Sequence, residues 1–513
     1  MEVAIIKITN VGQGVNADLM PEELAAGVWS DCKNMRFRNG FAERFRGLTN
    51  IFGAASVVPY WIAPYGTAAT RYWIHAGLAN VFADDGTTRT EITPASAPTG
   101  GIDDRWTGGT LNGVFVCNNG KDQPLFWGGN VANDLATLTG WDANERCKAL
   151  RPFKNYLIAL NITKTSTNYP HMVKWSDAAV PGSIPTSWDE TSVTGDAGEQ
   201  EIAETPDVIV DGLPLGDAFI VYKERSAYSM TFIGQPLIFR FQRLPDDYGM
   251  LARGCVANTP LGHVVLASGD VVLNNGQRMT SIADGTVREF IFKNMNSVYA
   301  QRSFVCTNPQ KSEVLICFPS SESDVCDKAA VWNWRDKTWG FRDLPNVTYG
   351  DAGQINADAT LLQWDTDSNT WDSDPSAWLE NEYSANEARL LFCRDSAITA
   401  FDVGAFDLGA SIESSLERVG LAFDDAYATK LLRHLYPRIE APTGTQIYIQ
   451  VGGTMNAESP PVYSDPVLFE VGQQHKIDSF ATGRFLAIKL YSTDYAPWRI
   501  KSMDVDVVPI GAY

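Results

Sequence analysis

The histidines, the side chains most suited to metal binding or acid–base chemistry, stand apart from one another in this sequence. No two of them have the i, i+4 spacing of a helix and none lies beside a cysteine pair, so a zinc site is not predicted. The five are His75, His171, His263, His434 and His475.

Other patterns that could support chemistry are incomplete. Asp365, Asp367 and Asn369 alternate like calcium ligands, but they lack the central glycine and the twelfth-position glutamate of an EF-hand, which favours a solvated hairpin turn. The stretch 108–113 lacks the lysine of a phosphate loop, and no G-x-S-x-G occurs. The sequence therefore predicts a protein that is not an enzyme, with no catalytic, cofactor-binding or metal-binding residue. With 61 acidic residues, a glycosidase-type carboxylate pair stays open as an alternative.

A segment near the N-terminus alternates basic and apolar side chains. The basic residues are Arg36, Arg38, Arg44 and Arg46, and the apolar ones are Met35, Phe37, Phe41 and Phe45. Interleaved aromatic and basic residues occur in nucleic-acid sites, which is one interpretation. A subunit or inter-domain interface is favoured, because the apolar face would be buried and the arginines would meet the acidic surface. The predicted interface residues are Trp29, Arg36, Phe37, Arg38, Arg44 and Arg46.

The chain is long and acidic. Its 513 residues predict more than one domain, and its 41 Lys and Arg against 61 Asp and Glu give a net charge of −20. Tight wrapping of nucleic acid needs an excess of positive charge, so that function is disfavoured. A lumen that lets DNA pass without gripping it is compatible with the acidity, and so is simple solubility.

Eight cysteines occur without a C-x-x-C pair, several inside apolar runs, and are predicted to be buried small hydrophobes. The sequence MEVAIIKITN has no basic n-region or cleavage site, and no apolar run nears the roughly 18 residues of a membrane span. We therefore expect synthesis in a cytoplasm and no membrane-spanning segment.

Short runs rich in Val, Ile, Phe, Tyr and Trp, bounded by turn residues, predict an all-β fold. The clearest predicted strands are Tyr72–His75, Gly113–Cys117, Asn155–Leu160, Ala218–Tyr222, His263–Ala267, Glu313–Phe318, Ala329–Trp334 and Thr360–Trp364. Short helices or turns are predicted only at Pro21–Val28 and Ala377–Asn386.

The strands recur in units of about 40 to 60 residues, which is typical of four-stranded propeller blades. Within two units a tryptophan pair spans a short polar turn, Trp332 with Trp339 and Trp364 with Trp371. Large aromatics fill the gap between wedge-shaped blades, so these four are predicted to pack blades together. Residues 53–400 are therefore predicted to form a β-propeller of irregular blades.

The pattern changes after about residue 400. Ile447, Ile449 and Val451 share one face of a predicted strand, and the set Leu486, Ile488 and Leu490 does the same. Residues 401–513 are predicted as an antiparallel β-sandwich or platform domain, and residues 1–52 as an N-terminal docking arm with a short helix and a strand.

Two stretches resemble the tail nozzle (tail tubular protein B-like) subunits of short-tailed bacteriophages. Residues 14–47 match the family's N-terminal motif at Gly14, Asn16, Asp18, Leu19, Pro21, Leu24, Gly27, Trp29, Asp31, Asn34, Arg36, Phe37, Arg38 and Gly40. The C-terminal stretch is similar at Gly483, Arg484, Trp498, Asp504 and Gly511.

The resemblance implies a structural virion protein in a homohexameric ring below the tail adaptor. The ring's lumen would conduct and gate double-stranded DNA during genome retention and ejection without binding it specifically. Tail fibre or needle proteins would attach outside, and assembly would take place in the host bacterial cytoplasm. No cofactor is implied.

Two further functions stay open. A carbohydrate-binding or depolymerising β-propeller would use exposed aromatics on its blade loops. A cellular kelch-like scaffold would need blades of nearly equal length, which these are not. The long segments 160–210 and 318–328 are candidate loops for subunit contacts or for the gate, and no channel-lining residue is predicted.

Overall fold

The computed structural model describes residues 4–67, 70–354, 388–423 and 425–512. Within these ranges the chain is almost entirely β-structure, with strands that we number β1 to β39 in chain order. The predicted all-β class is confirmed. The predicted strand Thr360–Trp364, the helix candidate Ala377–Asn386 and the pattern Asp365–Asn369 lie outside the described residues.

The helical elements differ from the prediction. At Pro21–Val28 only a single 3-10 turn forms, Pro21–Glu23, because Leu24 already has extended backbone angles (φ −72°, ψ 138°). The α-helix of the described chain, α1 (Arg288–Asn294), was not predicted, since seven residues are too few to show a helical apolar period. Two more 3-10 turns span Ala300–Arg302 and Pro309–Lys311.

Five strands precede the propeller blades. They are β1 (Ala4–Thr9), β2 (Asp31–Lys33), β3 (Met35–Arg38), β4 (Phe41–Arg44) and β5 (Leu48–Ala54).

Blades 1 to 5 are four-stranded antiparallel sheets, each built from consecutive strands. Blade 1 contains β6 (Trp61–Gly66), β7 (Arg71–Ala76), β8 (Val81–Asp84) and β9 (Arg89–Glu91). Blade 2 contains β10 (Thr107–Leu111), β11 (Val114–Asn118), β12 (Leu125–Trp127) and β13 (Ala136–Thr137). Blade 3 contains β14 (Glu145–Phe153), β15 (Tyr156–Lys164), β16 (Thr167–Trp175) and β17 (Gly198–Glu201). Blade 4 contains β18 (Ile209–Leu215), β19 (Ala218–Lys223), β20 (Ala227–Gly234) and β21 (Ile238–Arg243). Blade 5 contains β22 (Val256–Thr259), β23 (Gly262–Ala267), β24 (Asp270–Asn274) and β25 (Met279–Ser281).

Blades 6 and 7 share one long strand. Blade 6 contains β26 (Phe304–Asn308), β27 (Glu313–Phe318), β28 (Cys326–Asn333) and the first half of β29 (Thr338–Gln354). The second half of β29 pairs with β30 (Ala388–Arg394) as the innermost strand of blade 7. The outer part of blade 7 is formed by β31 (Ala397–Phe401) and, from the N-terminal segment, β5.

The first strands of the blades line up around an axis, and β29 of blade 7 contacts β6 of blade 1. The described residues therefore form a closed propeller of seven blades, in which the N-terminal β5 completes the last blade. The predicted boundary at residue 52 falls inside this strand.

The C-terminal part is a sandwich of two antiparallel sheets. Its strands are β32 (Ser414–Leu421), β33 (Ala428–Glu440), β34 (Gln446–Thr454), β35 (Val462–Tyr463), β36 (Val467–Glu470), β37 (Ile477–Gly483), β38 (Phe485–Ser492) and β39 (Arg499–Ala512). One layer has the order β1–β39–β33–β37, and the other contains β2, β32, β38 and β34, with β35 and β36 on β34. The six predicted core residues on β34 and β38 are all fully buried between the layers.

The N-terminal residues predicted as a docking arm are part of this architecture. Strands β1 and β2 add to the two layers of the sandwich, while the β3–β4 hairpin pairs with β29 on one side and with β39 on the other. Strands that would otherwise be open edges thus find partners within the chain. The result is one thirteen-stranded sheet that runs from blades 6 and 7 into the sandwich.

Candidate functional site

The junction between the propeller and the sandwich contains most of the residues that the sequence analysis selected. We call it the clamp and define it as residues 14–47 with their partners. Its first anchor is on blade 5, where Asn16 donates from Nδ2 to the carbonyl oxygen of Gly285 (2.8 Å). The Asp18 carboxylate accepts hydrogen bonds from the backbone N–H groups of Glu289 and Phe290 (3.2 and 3.3 Å). These amides begin α1 and have no partner within the helix, so Asp18 stabilises the helix from a distant part of the chain.

Trp29 forms the second anchor. Its indole is 2% exposed and donates from Nε1 to the carbonyl oxygen of Val11 (2.8 Å). The neighbouring backbone is tied to blade 6, because the Val15 N–H donates to the carbonyl oxygen of Trp339 (3.0 Å). The motif tryptophan therefore fixes the loop that links the sandwich to the propeller.

A buried ion-pair network forms the centre of the clamp. Arg36 is 2% exposed, pairs with Asp402 and lies 3.3 Å from Glu313, measured between Nη1 and Oε2. Its guanidinium also stacks on the Phe45 ring at 4.1 Å from the centroid. One basic side chain thus joins β27 of blade 6, the strand end after β31 and the hairpin.

Burial controls the protonation of this network. It raises the pKa of Glu313 to about 7, although Arg36 opposes the shift. Burial also tends to raise the pKa of Asp402, but Arg36 and Lys311 outweigh it and the pKa is lowered. Asp402 is therefore the ionised partner of Arg36 at neutral pH, while Glu313 binds its proton more tightly than an exposed glutamate does.

The other predicted arginines are placed around this centre. Arg44 is 1% exposed and donates to the carbonyl oxygens of Tyr495 (3.1 Å) and Ala405 (3.2 Å). Arg38 is partly exposed and makes a two-bond contact with Glu43 in its own hairpin (2.9 and 3.1 Å). The backbone N–H of Arg46 donates to Asp402 (3.0 Å).

The clamp therefore faces inward. Arg36 and Arg44 are almost completely covered by this chain, so their side chains cannot reach a phosphate or a residue of another molecule. Phe37 is 2% exposed and belongs to the same core. Of the two interfaces that the sequence left open, these residues lie at the inter-domain one.

The predicted aromatic pair Trp332 and Trp339 face each other across the β28–β29 hairpin, with ring centroids 6.4 Å apart. Trp339 also donates from Nε1 to the carbonyl oxygen of Ile282 in blade 5 (3.0 Å). The pair lies between neighbouring blades. Trp364 and Trp371 lie outside the described residues.

A second charged network, not predicted, bridges the propeller axis. Arg253, at the entry to blade 5, donates to the carbonyl oxygens of Lys148 in blade 3 (2.8 Å) and Arg105 at the entry to blade 2 (3.1 Å). Arg105 in turn donates to the carbonyl oxygens of Arg302 and Ser303 at the entry to blade 6 (3.0 and 3.1 Å). Blade 2 is a neighbour of neither blade 5 nor blade 6 in the ring, so the bonds that join them cross the central hole.

The axis also contains a buried ion pair. Arg151 of blade 3 makes two hydrogen bonds to Asp211 of blade 4 (2.9 and 2.6 Å), and Asp211 is fully buried. Burial raises the pKa of the nearby Asp351 to about 6, although the Ala352 amide and Arg151 oppose the shift. No sequence motif signals these residues, because they come from different blades and meet only in the folded ring.

The described residues include every histidine and cysteine that the sequence analysis considered. They contain no group of three or more His, Cys, Asp or Glu side chains placed to hold a metal ion. All eight cysteines lie in the described ranges and are buried free thiols, as predicted. His263 is a buried structural link, within 2.9 Å of the Tyr222 hydroxyl at Nδ1 and 3.0 Å of the Pro214 carbonyl oxygen at Nε2. In the described part of the chain, no helix is long and apolar enough to cross a membrane.

Comparison with known proteins adds little. No protein-family model matches the chain, and no curated protein matches it. Among solved structures, the extracellular domain of a one-component system from B. thetaiotaomicron matches 70% of this chain with 9% identity and a TM-score of 0.41, and the chain spans 40% of it. The WD40 β-propeller domain of Doa1 matches with 9% identity, a TM-score of 0.37 and coverage of 70% and 97%. The CNH domain of AfRom2 matches with 9% identity and a TM-score of 0.35, and the match covers 69% of this chain and 98% of that domain. TM-scores of this size carry no argument about function. The order of the blades therefore rests on the strand pairing within the chain.

Proposed function

We propose that this chain is a structural subunit of a short-tailed phage tail, one of six in a nozzle ring that conducts and gates the genome below the tail adaptor. The proposal starts from the resemblance of residues 14–47 and of the C-terminal stretch to nozzle subunits. It adds no catalytic step, since the expected role is mechanical.

The observation that carries the proposal is the continuous thirteen-stranded sheet through the clamp. Hydrogen bonds from blade 6 to β3 and from β4 to β39 make the propeller and the sandwich one unit. The motif residues Asn16, Trp29 and Arg36 all hold this junction together. A ring that withstands a packaged genome needs subunits that do not flex between their domains, and the clamp supplies that property.

The closed axis supports a particular position for the conduit. Arg253 and Arg105 bridge the hole of the propeller, so DNA would not pass through an individual subunit. The lumen would instead lie between subunits, on the symmetry axis of the ring. A net charge of −20 per chain would keep DNA from binding to its walls.

The sugar-binding alternative has less support. Such a site stacks sugars on exposed aromatic platforms, and tryptophan is the best of them. Of the twelve tryptophans in the described residues, eleven are buried and Trp334 is half-buried.

The test is cryo-electron microscopy of the purified chain alone, of tail adaptor rings alone, and of the two mixed. We expect six-fold rings of this chain on the adaptor, with a central hole. A chain that stays monomeric and never joins the adaptor at high concentration would overturn the proposal, and glycan-array binding would then test the alternative.

A further inference from the structure

Four basic residues meet at one end of the propeller axis. Arg253 is central, because its Nη1 atom donates to the carbonyl oxygens of Lys148 (2.8 Å) and Arg105 (3.1 Å). Lys121 lies in the turn that follows β11, directly after Gly120. The side chain of Lys121 is exposed, and the other three are half-buried. We call these residues the axial cations, and they are Arg105, Lys121, Lys148 and Arg253.

Gly120 brings the turn that carries Lys121 against the Arg253 guanidinium. Its φ is +75°, and a Cβ atom placed there would clash with Nη1 of Arg253. Glycine is therefore the residue that permits this close approach. The turn is also fixed from within, since Oδ1 of Asn119 accepts a hydrogen bond from the backbone N–H of Lys121 (3.0 Å). The local structure thus holds a lysine of blade 2 next to the arginine at the entry to blade 5.

The positive charge of the axial cations is poorly balanced by the chain itself. None of the four forms an ion pair within the described residues. Asp104 is close enough for its charge to act on both Lys148 and Arg253. The other carboxylates close to the cluster already have basic partners: Asp211 with Arg151 (2.6 Å) and Asp103 with Arg302 (3.0 Å). A local excess of positive charge therefore remains on a chain with a net charge of −20.

The axial cations also repel one another. Burial lowers the pKa of Lys148, and the charges of Arg253 and Lys121 add to this effect. Burial likewise lowers the pKa of Arg253, and the charge of Arg105 adds to it. Next to Arg105, the Ser303 hydroxyl is fully buried and has no hydrogen-bond partner in the described part of the chain. An anion at this place would relieve the repulsion, because it favours the charged form of every basic group around it.

We propose that the axial cations bind a phosphate group, either free inorganic phosphate or a terminal phosphate of a nucleic acid. Lys121 and Lys148 supply ammonium groups that donate no hydrogen bond within the described residues. Arg253 adds the N–H groups that its bonds to backbone carbonyls leave unused. Phosphate suits this arrangement better than chloride does, since its several charged oxygens accept from several donors at once. The bound phosphate ties blades 2, 3 and 5 together and stabilises the closed axis.

Isothermal titration calorimetry of the full chain with sodium phosphate, in a phosphate-free buffer of constant ionic strength, tests the site. We expect saturable binding of one phosphate per chain and none of chloride. Lys148→Gln removes one ammonium group and should weaken phosphate binding at least about tenfold. Lys154→Gln is the matched control, because Lys154 follows the opposite end of the same strand, β14, and should leave the affinity unchanged. No saturable binding, or equal affinities in the two variants, would overturn the inference.

Thermal unfolding separates this binding from the general stabilisation that phosphate causes by its exclusion from protein surfaces. Phosphate should raise the Tm of the natural chain and of Lys154→Gln by the same amount. It should raise the Tm of Lys148→Gln and of Lys121→Gln by less. Lys121 is exposed, so its replacement provides a second variant in which folding should be undisturbed. Equal increases of Tm in all four proteins would show exclusion alone and would contradict the proposed site.

Fluorescence anisotropy with a labelled DNA duplex distinguishes the two sources of phosphate. Tighter binding of a duplex with terminal phosphates than of one without them, lost in Lys148→Gln, would assign the site to a nucleic-acid end. Binding of inorganic phosphate without that difference would assign the site to free phosphate. Binding of neither ligand would overturn the inference. The four cations belong to one chain, so this result is independent of whether six copies form a ring.

Discussion

The clamp and the propeller axis are both arginine-centred networks, but they connect different parts of the chain. In the clamp, Arg36 joins a hairpin, blade 6 and the strand end at Asp402. At the axis, Arg253 and Arg105 join blades that are far apart around the ring. The clamp makes two domains into one unit, while the axis closes one domain on itself. The comparison teaches that the same chemistry can either couple domains or block a channel, depending on which strands carry it.

The strongest prediction concerns the centre of the clamp. Replacement of Arg36 by Met leaves Asp402 and Glu313 buried without their cation, and should lower the free energy of unfolding by about 3–5 kcal/mol. Denaturant titration of the full chain measures it. Arg38→Met, in the same hairpin but partly exposed, is the matched control and should lose at most about 1 kcal/mol. Equal losses in the two variants would contradict the inward-facing clamp.

Loss of a charge at the propeller axis should also lower the free energy of unfolding, by a smaller amount. Asp211→Asn removes the charge that pairs with Arg151 while it keeps the side-chain volume, and should cost about 3 kcal/mol. The double variant Arg151→Met/Asp211→Leu, in which no charge is left unpaired, should recover part of this loss. The single variants Arg151→Met and Asp211→Leu complete the comparison. If the double variant loses as much free energy of unfolding as these two lose together, the pair does not hold the axis closed.

The two networks should share one pH dependence. The folded-state pKa values of Glu313 and Asp351 are raised, to about 7 and about 6, so each carboxyl stabilises the fold fully below its unfolded pKa and loses that contribution as pH rises through the folded value. Each carboxyl should therefore lower the free energy of unfolding by about 2 kcal/mol as the pH rises from 4 to 6. Glu313→Gln and Asp351→Asn should each flatten the measured stability curve by that amount. If the dependence of stability on pH is unchanged in these variants, burial does not raise the pKa values of the two carboxyls.

Much of the fold could be predicted from the sequence, because it depends on local patterns. Period-two alternation located β34 and β38, and the tryptophan spacing located the blade 6 hairpin. The path of the N-terminus was predicted less well. Nothing local indicates that β5 completes blade 7 or that β1 adds to β39, since those partners lie hundreds of residues away.

The candidate site divides in the same way. Arg36 and the residues around it could be predicted because the alternation of basic and apolar residues is visible along the chain. The sequence did not show whether they contact another subunit or another domain of the same chain. Arg151, Asp211 and Arg253 were missed because each stands alone in its own blade. Only the closure of the ring brings them together, and Asp18 was likewise found only through a resemblance and not as the residue that caps α1.

The most direct test of the account is a cryo-electron microscopy reconstruction of a DNA-containing tail assembled with this chain, with attention to where the DNA lies. We predict DNA density on the six-fold axis between subunits, and side-chain density of Arg105 and Arg253 across the hole of every propeller. DNA running through a propeller, or a nozzle position occupied by a different chain, would contradict the account.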